Sequence, residues 1–355
     1  MNADMIHNRI AGCLLGGALG DALGYPVEFD RWSDIESKFG HDGICDLVPD
    51  GGAARVSDDT QMTLFTAEGL VLGYADARRR NAVMDVADAV WQSYLCWLQT
   101  QGHHAASRWD AASRLRTVPE LNRCRAPGNT CLSALLSGRM GTPDAPLNHS
   151  KGCGGVMRTA PLGFFPPGVL PGTPLGNGAA AAAITHGHPL GWLPAAVLSD
   201  LVYRCVFLPG IRLRTHVESS LTVANRAYGS IPEMKTLDDL LRRAIRLAEE
   251  TVTCAEHNSE HERIASLGEG WVGEEALAVA VYAALRYEDP RLSLIAAVNH
   301  SGDSDSTGAI AGNIIGAYFG ATALPADWLS KLELTDVIRD TADQCFKILQ
   351  NTCIR

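Results

Sequence analysis

The chain has 355 residues, of which 46% are hydrophobic and 20% charged, with a formal net charge of −10. This is the composition of a globular protein able to bury a core, and the negative balance argues against a general nucleic-acid binder, which needs a basic face. Ten cysteines are scattered with no C-x-x-C pair, which leaves zinc-ribbon and thioredoxin readings unsupported and predicts buried, reduced thiols in a cytoplasmic protein.

Apolar periodicity predicts helices near 8–24, 60–75, 81–100, 129–138, 179–186, 192–207, 215–227, 236–254, 273–286, 291–299, 307–320 and 335–350. Alternating β-branched runs are scarce. The expected fold class is all-α, a compact single-domain multi-helix bundle over residues 1–355. The Pro/Gly stretch Pro166 to Gly178 reads as a surface loop. The apolar start, Ile10 to Leu23, lacks a cationic flank beyond Arg9 and is interrupted by Asp21, so it reads as a structural helix rather than a signal segment. No run of about 20 apolar residues predicts a membrane span.

Two segments share a spacing. Gly12, Gly16, Gly20 and Gly24 lie four apart, and so do Gly308, Gly312, Gly316 and Gly320. On a helix each set forms a ridge without side chains. Glycine inside a helix costs about 1 kcal/mol relative to alanine, so the spacing points to close backbone approach between helices. The expectation is that the two ridges pack centrally and hold the helix starts beside them in register.

Those helix starts are acidic. Ser57-Asp58-Asp59-Thr60 precedes one apolar run, and Asp303-Ser304-Asp305-Ser306-Thr307 precedes another. Helix capping explains part of each cluster. Carboxylates interleaved with hydroxyls are also hard oxygen ligands of the kind Mg²⁺ or Mn²⁺ prefers. Brought together, four carboxylates would repel one another unless a divalent cation lay between them. An EF-hand is excluded, because no glutamate stands at the twelfth position.

Three further segments carry polar chemistry. Ser150-Lys151-Gly152-Cys153-Gly154-Gly155-Val156-Met157 exposes backbone N–H groups able to hold an anion such as a diphosphate, without a P-loop or Rossmann pattern. Gly128-Asn129-Thr130 is a small polar turn entering a helix. In Thr185-His186-Gly187-His188-Pro189 no third residue completes a zinc site at a recognisable spacing, so a ligand contact or a structural role is expected. Glu28, between Tyr25 and Phe29 at the end of the first glycine helix, is a candidate for a raised pKa and acid–base work.

In chain order, G-C-L-L-G-G-A-L-G-D-A-L-G-Y-P-V-E-F, S-D-D-T-Q-M, R-A-P-G-N-T, S-K-G-C-G-G-V-M-R-T-A-P, T-H-G-H-P, G-W-V-G-E-E-A-L and N-H-S-G-D-S-D-S-T-G-A-I-A-G-N resemble the ADP-ribosylglycohydrolase family, over about residues 9–320. This is the family of the dinitrogenase-reductase-activating glycohydrolase and the ADP-ribosylarginine hydrolases. The resemblance implies an all-α fold with two Mg²⁺ ions, or Mn²⁺, in a cleft. It implies that Ser57, Asp58, Asp59 and Asp305 hold one ion and that Asp303, Asp305 and Ser306 hold the other. The family often has threonine where Ser57 and Ser306 stand.

By the same resemblance, Glu28 matches a mobile acidic residue near the metals. Gly128, Asn129 and Thr130, with the loop Ser150, Lys151, Gly152, Cys153, Gly154, Gly155, Val156 and Met157, match the parts that hold the diphosphate and distal ribose. His186 matches a ligand-contacting histidine, and Cys153 stands where some members have asparagine. The implied reaction is hydrolysis at C1″ of ADP-ribose on a protein side chain, with Asp59 or Glu28 as general base and Asp58 beside them. ADP-ribosylarginine is the expected linkage, and ADP-ribosylserine, O-acetyl-ADP-ribose and ADP-ribosylated nucleic acid are the alternatives. The expected partner is an ADP-ribosylated protein. A cognate ADP-ribosyltransferase toxin is a second expected partner, met either by reversal of its modification or, in the competing reading, by non-catalytic blocking.

Overall fold

The computed structural model describes residues 2–250 and 260–352. Its α-helices are α1 (Ala3–Gly24), α2 (Trp32–Phe39), α3 (Asp58–Arg80), α4 (Val86–Thr100), α5 (Asn129–Leu136), α6 (Pro174–Ala183), α7 (Pro189–Phe207), α8 (Leu213–Tyr228), α9 (Pro232–Glu249), α10 (Glu260–Ala265), α11 (Gly273–Arg286), α12 (Pro290–Val298), α13 (Ser304–Phe319), α14 (Ala326–Leu329) and α15 (Thr335–Thr352). Among the described residues there are isolated bridges but no strand, so the fold is all-α as expected.

The predicted helices are all present, with shifted ends. Asn81, at φ +51, turns the chain out of α3, and Asp85 caps α4 by accepting from the Asp88 N–H. The predicted helix near 81–100 therefore begins at Val86. The Pro166–Gly178 segment is a loop only as far as Thr173, whose side chain caps α6. Residues 251–254 of the predicted 236–254 helix, and Cys254 and Cys353, lie outside the described residues. Of the eight described cysteines none is in a disulfide and five are buried, whereas Cys45 and Cys124 are exposed and Cys153 is half-buried.

Helix α13 lies at the centre, packed on α1, α7, α11 and α12. From Ile10 to Gly24 every residue of α1 is buried, so this helix is enclosed on all sides rather than amphipathic. Two helical segments, Ala3–Val27 and Pro189–Phe207, do reach the length and apolarity of a membrane span, contrary to the expectation that none would. In each, 89% of the apolar window is buried inside the fold, where it forms core.

The glycine ridges meet. Helices α1 and α13 run antiparallel, and a Cβ built on Gly12, Gly16 or Gly20 would collide with the carbonyl oxygen of Gly316, Gly312 or Gly308 respectively. A Cβ on Gly24 would lie 2.6 Å from the Cα of Asp305. Gly320 departs from the expected row: it ends α13 at φ +86 and faces Asn8. The contact brings the C-terminal end of α1 against the N-terminal turn of α13.

Candidate functional site

The two acidic clusters do cap their helices. Ser57 Oγ accepts from the Asp59 N–H at 3.2 Å, and Asp303 Oδ1 accepts from the Ser306 N–H at 3.3 Å. Each cap uses one oxygen, and Asp58, Asp59, Asp303 and Asp305 border one space. Sequence reasoning missed the residue that joins the clusters. Asp21, buried in α1, accepts from the Ser57 N–H at 2.9 Å and the Thr60 N–H at 3.0 Å, and also from the Thr60 hydroxyl. It thereby fixes the start of α3 to the helix that already holds α13. The signal was present as one acid inside an otherwise apolar, glycine-spaced helix.

Ligand oxygens of Glu28, Asp303 and Asp305 lie within 4.8 Å of one another. Asp58 and Asp59 border the same cleft. Glu28 follows a short 3₁₀ turn at the end of α1, and the next residue, Phe29, sits at φ +70. Burial, then the charge of Asp305, pushes Glu28 up to about 10 and Asp21 up to about 7. The same two causes, in the same order, raise Asp58, Asp59 and Asp303 well above the usual carboxylate range, and burial raises Asp305. No cation figures among the leading causes of any of these shifts. Two buried oxygens, Glu28 Oε2 and Asp59 Oδ1, have no hydrogen-bond partner among the described residues. Hard oxygen donors, mutual repulsion and unpartnered buried oxygens together fit a divalent cation.

The cleft encloses about 350 Å³. It is bordered by Glu28, Asp58, Asp59, Gly128, Asn129, Thr130, Gly152, Cys153, Gly154, Met157, His186, Asp303, Asp305 and Ser306, all expected from the sequence. Phe29, Cys131 and Trp271 also border it and were not singled out; the Phe29 and Trp271 rings stack at 5.2 Å. In a larger cavity of about 600 Å³, two of the lining arginines are paired with acids, Arg55 with Asp50 and Arg125 with Glu333. Crowded, buried acids with unpartnered oxygens mark the smaller cleft as the chemical one.

Five expected residues do not border the cleft. Ser57 is fully buried, and its hydroxyl donates to Asp59 Oδ2 at 3.4 Å. Ser150 Oγ is 3.0 Å from Thr130 Oγ1, and Lys151 pairs with Glu274. Gly155 packs against Gly191 and His186, and Val156 belongs to the hydrophobic core. The Ser150–Met157 segment is a loop ending in a 3₁₀ turn over Cys153–Gly155, held by the Cys153 N–H donating to the Trp271 carbonyl at 3.1 Å. The Cys153 thiol, which sequence reasoning placed at the diphosphate, donates to Asp303 Oδ2 at 2.7 Å and so touches the acidic cluster itself.

The fold and cleft define a helical protein with an acidic centre that calls for cations. A family model, ADP-ribosylglycohydrolase, matches residues 2–354. The chain belongs to the ADP-ribosylglycohydrolase family, a family of hydrolases. It is 26% identical to the ADP-ribosyl-(dinitrogen reductase) glycohydrolase of Rhodospirillum rubrum, over 94% of this chain and 93% of that one. It is 24% identical to the ADP-ribosylhydrolase ARH3 of Mus musculus, over 96% and 92% of the two chains. A solved structure titled ADP-ribosylglycohydrolase-related protein complex superposes with a TM-score of 0.62 at 23% identity, covering 97% of this chain and 99% of that one, a likeness of fold.

Proposed function

We propose that the protein removes ADP-ribose from modified protein side chains, with ADP-ribosylarginine as the substrate, and so reverses mono-ADP-ribosylation. The carrying observation is the convergence of Asp58, Asp59, Asp303, Asp305 and Glu28 on one cleft with two oxygens unpartnered among the described residues. Ser57, Asp58, Asp59, Asp303, Asp305 and Ser306 would hold two Mg²⁺ or Mn²⁺ ions. Bound there, such ions supply Lewis acidity toward water and sugar hydroxyls.

The chain's own residues do the rest. Water adds to C1″ as the bond from C1″ to the guanidine nitrogen breaks, through an oxocarbenium-like transition state. A proton leaves the water and the departing guanidine gains one. Glu28 Oε2 and Asp59 Oδ1 are the oxygens free to take the water's proton. The cleft's negative charge favours a cationic leaving group, which supports arginine as the linkage. The Gly128–Thr130 turn and the Gly152–Gly154 rim line the same cleft, and the N–H groups of Asn129 and Thr130 in the first turn of α5 suit the diphosphate.

The described cysteines are all unpaired, in keeping with a reducing, cytoplasmic setting. A cognate ADP-ribosyltransferase is the partner whose modification the enzyme would reverse. The test is incubation with an arginine-ADP-ribosylated protein, with and without EDTA. Free ADP-ribose released only when Mg²⁺ is present supports the proposal; intact Mg²⁺ binding without release refutes the arginine linkage.

A further inference from the structure

Behind the wall of the cleft lies a buried cation with no acid beside it. Arg158 is fully buried. Its Nη1 donates to Cys131 Sγ at 3.1 Å, its Nη2 donates to Thr185 Oγ1 at 2.6 Å, and its guanidinium stacks 4.5 Å from the Tyr94 ring centroid. Among the described residues it has no carboxylate partner, and Nε has no partner at all. A buried charge without a counter-charge is costly, so packing alone is a poor reason for an arginine here.

The hydrogen-bond directions supply a better one. A guanidinium only donates, so Thr185 Oγ1 accepts from Arg158 and has its own proton to give. His186 Nδ1 lies 2.8 Å from that oxygen. The other acceptor nearby is the Cys131 sulfur, a weak one, so the imidazole nitrogen takes the proton. A ring whose Nδ1 accepts carries its single proton on Nε2. Burial, then the Arg158 charge, drives the His186 pKa down to about 3, so no second proton is added near neutrality. The Nε2 edge faces the glycine rim: a Cβ built on Gly152 or Gly154 would lie 3.4 Å from it. Among the described residues Nε2 has no hydrogen-bond partner, and the ring borders the cleft.

We infer that Arg158 and Thr185 are positioning residues that lock His186 as a neutral Nε2–H donor, aimed past Gly152 and Gly154 at an oxygen acceptor of the bound ADP-ribosyl group. The ligand half rests on the function proposed above; the tautomer does not. The buried cation thus acts through one hydroxyl, turning an ambiguous ring into a donor of fixed direction.

The test reads the tautomer directly, by two-bond ¹H–¹⁵N correlation spectra of the ¹⁵N-labelled, ligand-free protein, with His186 assigned from the spectrum of His186→Gln. The expected result is a protonated Nε2 and an unprotonated Nδ1. Thr185→Ser keeps the hydroxyl and the tautomer. Thr185→Val removes the proton donor, shifts the ring toward the Nδ1–H form and weakens ADP-ribose binding about tenfold, the worth of one hydrogen bond. An Nδ1–H ring in the wild type, or an Nε2–H ring with undiminished ADP-ribose affinity in Thr185→Val, overturns the inference. The wild-type spectrum decides even if Thr185→Val does not fold. An Nε2–H wild-type ring with no ADP-ribose binding upholds the lock and refutes the proposed function instead.

Discussion

Gly16 and Gly312 touch backbone to backbone: a Cβ on either residue would collide with the carbonyl oxygen of the other. Elsewhere on a helix, glycine to alanine gains about 1 kcal/mol. Here the sign reverses. Gly312→Ala is expected to destabilise by about 2–3 kcal/mol and Gly16→Val by more, since backbone on both sides leaves nothing to yield. Both variants are also expected to bind Mg²⁺ more weakly, because the contact sets the spacing of the acidic helix starts. Chemical denaturation checks the first claim and calorimetric titration the second; unchanged midpoints in both variants would sink the account.

Asp21 makes no contact that the chemistry requires, yet it ties Ser57 and Thr60 to α1. Asp21→Asn places an amide against those N–H donors and leaves one of them without an acceptor. A loss of about 1–3 kcal/mol of stability is expected, the cost of one unsatisfied buried donor. The Mg²⁺ affinity should fall with it, read by titration at fixed pH. A variant as stable as wild type would show that the helix start is held by other means.

The raised carboxyls make the metal-free protein sensitive to alkali. Asp21, pushed from 3.8 up to about 7, and Glu28, pushed from 4.5 up to about 10, hold protons in the fold that the unfolded chain releases. Their contribution is full below the ordinary carboxylate range and is lost as pH rises through the folded values. Cation binding ionises the cluster and releases those protons. The expected outcome is a melting temperature of the metal-free protein that falls between about pH 7 and about pH 9, and a rise on adding Mg²⁺ that is larger at about pH 9. Equal Mg²⁺ effects at both pH values would contradict it.

Asp305 is the largest charge influence on Asp21, Glu28, Asp58, Asp59 and Asp303. Asp305→Asn should therefore raise the melting temperature of the metal-free protein while abolishing its response to Mg²⁺. ADP-ribose release should fall at least about a hundredfold. Stability and activity moving together in the same direction would argue against a shared cation site.

Glu28 and Asp59 separate by position. Asp59 is buried in the first turn of α3, whereas Glu28 is half-buried on a turn next to the left-handed Phe29. Glu28→Gln is expected to lower turnover about a hundredfold or more while the Mg²⁺ melting shift survives, as for a group that moves a proton. Asp59→Asn is expected to lose both. Loss of the Mg²⁺ shift in Glu28→Gln would make Glu28 a ligand first.

The sequence carried the helices and the acidic starts because period and capping are local signals. The glycine spacing carried one long-range contact, since nothing but close approach explains a row of glycines inside two helices. It did not carry the partners of Asp21, which depend on where α3 lands. Nor did it carry the cleft edge formed by Phe29 and Trp271, which lie 242 positions apart in the numbering, too far for any local pattern to link them. Val156 looked like a cleft residue because its neighbours are; its place in the hydrophobic core separates it. The helices α10 and α14, of 6 and 4 residues, gave too few turns for a period to emerge.

The pairing of α1 with α13 also sets a clock for biosynthesis. Helix α1 finds its fitted partner only when the residues of α13 have been added. At about 5–20 residues per second, that is a wait of roughly 15–60 seconds for a largely apolar helix emerging from the ribosome. During that interval the acidic centre has only one half, and α1 needs temporary shelter that α13 later replaces.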